Sequence, residues 1–164
     1  MSFLRYCAHY LICHRNRNSK AFLLLKIIFE KVNVDVNSKN LEWTPLLFMA
    51  TKMGDIATMR FLISRGAHIN ILVPIRNRRY AWCDINHLAA LHFTAERVNA
   101  KAMACLLEAG ADVNLKDGNG RTAIRILCTL IDGNVKKAFI DCCELLIQYG
   151  ARVDTLHADD LYGI

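Results

Sequence analysis

Seven cysteines and six histidines are the residues of this 164-residue chain best suited to nucleophilic or metal chemistry. His9 and Cys13 stand four apart, with Cys7 and His14 beside them, so one helical face would carry two ligand types. Tetrahedral zinc needs four ligands converging on one point, so these side chains are read as core or rim residues and no metal is expected. Covalent catalysis fares no better. No glycine-rich phosphate loop follows a strand, neither G-x-S-x-G nor H-E-x-x-H occurs, and no local signature links a cysteine to a histidine. The chain is expected to be no enzyme and to need no cofactor.

Cys7, Cys13, Cys105, Cys128, Cys142 and Cys143 fall within apolar helical patterns, where a thiol packs as a small hydrophobe. The cysteine count is odd and nothing resembles a secretory signal, so reduced thiols in the cytoplasm, and also the nucleus, are expected. The apolar run 21–29 is broken by Lys26 and is too short to span a bilayer.

Binding chemistry is better represented. Residues 71–87, ILVPIRNRRYAWCDINH, gather Arg76, Arg78 and Arg79 beside Tyr80 and Trp82. Arginine and large aromatics dominate the energetics of protein interfaces. The competing reading is a solvated loop whose aromatics fold back on the rest of the chain. Three arginines are too few for a nucleic-acid or nuclear-import patch. The net charge of +6 is also uneven: residues 1–88 hold 13 Lys/Arg against 5 Asp/Glu, and residues 89–164 hold 8 against 10. A basic first half suits an acidic partner as well as it suits a solvated face.

The elements that must position these residues follow a repeated grammar. Residues 89–114 read as a short helix, a tight turn, a longer helix and a glycine stop at Gly110. Units begin at Thr44-Pro45-Leu46-Leu47, at Ala89-Ala90-Leu91-His92 and at Thr122-Ala123-Ile124. Thr44 can cap its helix through the hydroxyl, with Pro45 in the first helical position. The exits are Gly66-Ala67-His68-Ile69-Asn70, Gly110-Ala111-Asp112-Val113-Asn114 and Gly150-Ala151-Arg152-Val153-Asp154. A fourth exit, Val34-Asp35-Val36-Asn37, follows Asn33 in the glycine position.

This pattern resembles the ankyrin repeat, with its T-P-L-H-x-A start, two antiparallel helices and G-A-x-x-N exit within about 33 residues. The resemblance implies an all-α ankyrin-repeat solenoid with connecting β-hairpin fingers. A single domain would span 1–164, with repeats at 2–40, 41–73, 82–117 and 118–155, an inserted finger at 71–88 and a tail at 156–164. The glycine stops lie 44 and then 40 residues apart. The excess is placed in an insertion of 11 residues between repeats two and three, and in a second stretch near 130–134. Repeat two also has one extra residue before Gly54. Lengthening a surface loop costs little, because closure entropy grows logarithmically.

The same resemblance implies a protein-binding scaffold or adaptor. Its groove would include Leu41, Glu42, Trp43, Phe48, Lys52, Phe93, Arg97, Asn119 and Arg121, with the finger residues beside it. His92 would join a structural hydrogen-bond network. Asn114 and Asn70 resemble asparagines hydroxylated by an oxygen-dependent asparaginyl hydroxylase; the simpler expectation is that each stabilises its turn through the side chain. Two narrower alternatives are a substrate receptor of a ubiquitin ligase and a decoy like the inhibitors of Rel/NF-κB factors. The short C-terminal tail counts against the first and the basic N-terminal half against the second. Finally, residues 22–29 and 139–147 are apolar on more faces than one stack can cover. Such faces mark a contact with another copy or partner, or a cut from a longer repeat protein.

Overall fold

The computed structural model describes residues 3–14, 20–31, 34–39, 44–76, 85–130 and 137–153. Along the chain they form α1 (Phe3–His14), α2 (Lys20–Lys31), α3 (Leu46–Lys52), α4 (Ile56–Ser64), β1 (Val73–Arg76), β2 (Ile85–Leu88), α5 (Ala90–Glu96), α6 (Ala100–Glu108), α7 (Ala123–Cys128) and α8 (Lys137–Gln148).

Helix boundaries are set by short side chains and by backbone geometry. Asp55 caps α4 by accepting from the backbone N–H of Thr58 at 3.2 Å and from its hydroxyl at 2.7 Å. Asn99 caps α6 in the same way, accepting from Ala102 N–H at 3.1 Å. These bonds satisfy N–H groups that the first helical turn leaves without partners. At the far end of α6, Gly110 has φ 88° and the Ala111 N–H reaches back to the Leu106 carbonyl at 3.0 Å. A side chain at that φ would be strained, so glycine ends the helix. The same backbone closure recurs from Ala67 to Leu62 and from Ala151 to Leu146.

Two expectations about the second repeat need correction. Pro45 (φ −66°, ψ 155°), not Thr44, occupies the capping position of α3, and helical residues begin at Leu46. Counted from that cap, α3 and α5 are both seven residues long, and each is followed by a three-residue turn. The extra residue before Gly54 therefore does not exist; the shift lies in which residue caps the helix. The second long connection is where the sequence puts it, because residues 129–136 separate α7 from α8.

The chain forms two compact units, Met1–His68 and Ile69–Ile164. In the first, α1 packs on α2 and α3, and α3 pairs with α4. Phe61 of α4 meets Phe22 and Phe29 of α2 edge-on, with ring centroids 5.9 and 5.6 Å apart. Such pairs add about 0.5–1.5 kcal/mol beyond the area they bury. In the second unit, α5 pairs with α6 and lies against α7, while α8 packs on both α6 and α7. Met103, Leu106, Leu127, Cys142 and Leu146 are fully buried there. Burying side chains of the size of Leu106 or Leu146 contributes about 1.5–3 kcal/mol each.

β1 and β2 form an antiparallel hairpin registered from Val73↔Leu88 to Arg76↔Ile85. Among the described residues, no helix is long and apolar enough to cross a membrane.

Candidate partner-binding face

In the second unit the finger is anchored at its base. Val73 and Leu88, directly opposite one another, are both buried. The alternation of a strand then sends Pro74 and His87 to the other side, and His87 is exposed. The His87 carbonyl accepts a hydrogen bond from Gly118 N–H at 2.9 Å, which ties the finger to the next connecting loop. Arg76 closes β1 opposite Ile85. Residues 77–84 join the two strands, and the proposed contacts Arg78, Arg79, Tyr80 and Trp82 lie outside the described residues.

The loop that braces the finger is built around one carboxylate. Asp117 accepts from the backbone N–H groups of Asn119 (2.9 Å) and Arg121 (2.8 Å) through one oxygen. Its second oxygen accepts from Arg121 Nε at 3.0 Å and lies 2.9 Å from a terminal guanidinium nitrogen. Asp117 is thus sequestered while Arg121 keeps about a quarter of its side chain in solvent. This reassigns Arg121: its guanidinium is held inside the loop, and its first role is to set the loop's shape. Asn119 is exposed at the tip.

On α5, the guanidinium of Arg97 lies 5.5 Å from the centroid of the Phe93 ring. Phe93 is half-buried and Arg97 exposed, so the pair offers a planar cation over an aromatic surface. Glu96 adjoins this group. Partial burial pushes its carboxyl above the usual carboxylate range; Asp117 adds to the rise, and Arg121 and Arg97 oppose it. Glu96 and Asp117 were both missed in the sequence. Their signals were available: Glu96 follows Phe93 by three on a helix, and D-G-N-G-R is the composition of a side-chain-closed turn.

Within the first unit, Lys52 is exposed at the end of α3. Phe48 is 3% exposed, which corrects the expectation that it faces a partner: its position on a seven-residue helix turns it inward. Leu41, Glu42 and Trp43 lie outside the described residues.

The geometry that recurs from loop to loop belongs to asparagine. Asn114 Oδ1 accepts from Arg152 N–H at 2.9 Å while its Nδ2 donates to the Gly150 carbonyl at 3.1 Å. Asn37 does the same with His68 N–H (2.7 Å) and the Gly66 carbonyl (3.3 Å), and Asn70 Oδ1 accepts from Asp112 N–H at 3.0 Å. These carboxamides therefore bridge successive loops. The turns themselves are closed by the preceding acids: Asp112 accepts from Asn114 N–H, and Asp35 from Asn37 N–H. His92, fully buried, links two segments of the second unit. Its Nδ1 accepts from Ala89 N–H at 3.0 Å and its Nε2 lies 2.8 Å from the Leu115 carbonyl. That pairing fixes a neutral ring protonated on Nε2, and burial holds its pKa below the usual imidazole value.

Cys7, Cys142 and Cys143 carry thiols, and burial pushes that of Cys142 up to about 11. A thiol so far from ionisation at neutral pH is a packing residue. Among the described residues, no group of three or more His, Cys, Asp or Glu side chains could hold a metal ion.

Helix pairs closed by a glycine, packed within each unit through buried apolar faces and bridged loop to loop, define a helical-repeat protein. The chain belongs to the ankyrin-repeat proteins. The ankyrin repeat family model matches residues 42–72. The chain is 34% identical over 110 residues to the human transient receptor potential cation channel subfamily A member 1, covering 66% of this chain and 8% of that protein. It is 27% identical over 129 residues to mouse Rabankyrin-5, covering 74% of this chain and 10% of that protein. The matched region is thus a tenth or less of either relative. Ankyrin repeats are generally protein–protein interaction modules and typically non-enzymatic.

Proposed function

We propose that this chain is a non-enzymatic adaptor that holds a partner protein between the α5 face and the basic aromatic finger. The observation that supports this reading is the anchoring of the finger. A hairpin pinned by Val73 and Leu88, and tied to Gly118, gives the segment carrying Arg78, Arg79, Tyr80 and Trp82 a fixed origin in the same unit as Phe93 and Arg97. Contact residues carried between two anchored strands lose less chain entropy on binding than the same residues on an unanchored loop, and arginine and large aromatics are the types that dominate interfaces. The basic finger favours an acidic or extended partner segment. The working compartment is the cytoplasm, and the nucleus as well.

Quantitative affinity purification with mass spectrometry, comparing the native chain with an Arg76/Arg78/Arg79→Glu variant, tests this reading. Partners lost in the variant, with helicity unchanged by circular dichroism, support it. An unchanged partner set removes the finger from the mechanism. The identities separate the narrower readings, since a ligase receptor captures cullin-complex subunits and a decoy captures a Rel-type factor.

A further inference from the structure

Two helices leave apolar faces in solvent. On α2, Ala21, Leu25 and Phe29 point inward, and the opposite face carries Leu23 (60% exposed), Leu24 and Ile27. On α8, Cys142 and Leu146 point inward, and the opposite face carries Ile140 and Ile147 (57% exposed). Both helices therefore present an uncovered apolar stripe at helical spacing.

The charges on the two stripes are complementary. On α2, Ile27 is followed one turn later by Lys31; on α8, Ile140 is followed one turn later by Glu144. All four residues are exposed. Helix α2 carries Lys20, Lys26 and Lys31 against Glu30, while α8 carries Asp141 and Glu144 against Lys137. Neither face suits its own copy. In a two-fold α8–α8 pairing Glu144, midway between Ile140 and Ile147, meets itself; an antiparallel α2–α2 pairing sets Lys20 against the other copy's Lys31. Like charges brought together in an interface select against that pairing.

We propose that this chain self-associates head to tail. The α8 face of one copy docks on the α2 face of a second, parallel to it, with Ile140 against Ile27 and Glu144 paired with Lys31. The occupant of each face is thus a second copy of the chain. The contact is heterologous, so both faces of every copy are used, and repeated docking builds a closed ring or an open array as concentration rises.

Sedimentation velocity on the full chain across a wide concentration range tests this, with Lys31→Glu, Glu144→Lys and the double variant. The expected results are concentration-dependent growth of the native chain, loss of that growth in each single variant, and its return both in the double variant and in an equimolar mixture of the two singles. These positions are exposed, and circular dichroism verifies that every variant is folded. A native chain that stays monomeric throughout overturns the proposal. So does association that ignores the single reversals, or that fails to return in the double variant and the mixture.

Discussion

Val98 occupies the turn position in its repeat that Gly54 occupies in the preceding one, and both have left-handed backbones, with φ of 51° and 67°. The surrounding bonds match: Val98 N–H to Ala95 and Asn99 N–H to Thr94 reproduce Gly54 to Thr51 and Asp55 to Ala50. Glycine adopts this conformation without strain, whereas a β-branched residue crowds its own carbonyl. The strain costs about 1–2 kcal/mol, partly offset by the unfolded-chain entropy that valine removes, about 0.4–1 kcal/mol. Val98→Gly should therefore stabilise the protein by about 0.5–1 kcal/mol, read from the shift in urea midpoint at constant m-value. A lower midpoint would show that the half-buried valine side chain packs well enough to outweigh its backbone.

The loop bridges predict a graded loss at Asn114. Alanine removes both the acceptor for Arg152 N–H and the donor to the Gly150 carbonyl. At about 0.5–1.5 kcal/mol per net hydrogen bond, losing two means that Asn114→Ala should cost about 1–3 kcal/mol in chemical denaturation. Asn114→Asp keeps the acceptor but sets a carboxylate against a carbonyl, so it should cost no less than alanine. The asparaginyl hydroxylation that the resemblance implies has a separate test at the same positions. Peptide mass spectra of protein from oxygenated cells decide it: one added oxygen at Asn114 or Asn70 would support the modification that the resemblance implies, and unmodified peptides would leave these residues the structural role that is the simpler expectation.

Burial of His92 makes acid a destabilising agent. Its folded pKa is below 6.5, because desolvation outweighs the bond to Leu115 and the attraction of Asp117 and Asp112, with Arg121 adding to the depression. The unfolded chain therefore takes up the proton first as pH falls. The stability is fully present above about pH 6.5 and is lost as pH drops toward the folded value. Thermal melts from pH 7.5 down to 5 should show a falling midpoint, and His92→Gln should flatten that slope while lowering the midpoint at neutral pH. An equal slope in the variant would assign the acid sensitivity to other groups.

Much of this fold was legible because its signals are local. Glycine at 66, 110 and 150 marks helix ends through backbone geometry that needs no tertiary partner, and helix α4 ends at Ser64 as its pattern requires. The finger's hairpin was legible for the same reason, as an insertion flanked by apolar residues. What stayed hidden depends on long-range geometry. Thr44 and Pro45 are adjacent candidates for one cap, and only the chain's path into α3 selects between them. The bridging partners of Asn37 and Asn114 lie 29 to 38 residues away, so a carboxamide that spans two loops reads in sequence as one closing its own turn. Arg121 looked like a contact because D-G-N-G-R announces a turn closed by Asp117 but not that the same carboxylate also holds the guanidinium through Nε and a terminal nitrogen.

That ion pair yields a prediction that separates shape from contact on the same face. Arg121→Ala takes the guanidinium away from the sequestered Asp117 carboxylate while its bonds from the Asn119 and residue-121 backbone N–H groups remain. Removing one partner of a fully buried pair costs about 3–5 kcal/mol, and the solvent exposure of Arg121 reduces this to about 1–3 kcal/mol. Arg97→Ala removes an exposed guanidinium whose packing partner is the Phe93 ring, a contact worth about 0.5–1 kcal/mol at most. Stability should therefore fall clearly in the first variant and little in the second. Partner capture should behave oppositely once both proteins are held well below their unfolding transitions: Arg97→Ala weakens it, and Arg121→Ala spares it to the extent that the loop keeps its shape. Equal loss of capture in both, at matched folded fractions, would place Arg121 in direct contact with the partner as well as in the loop.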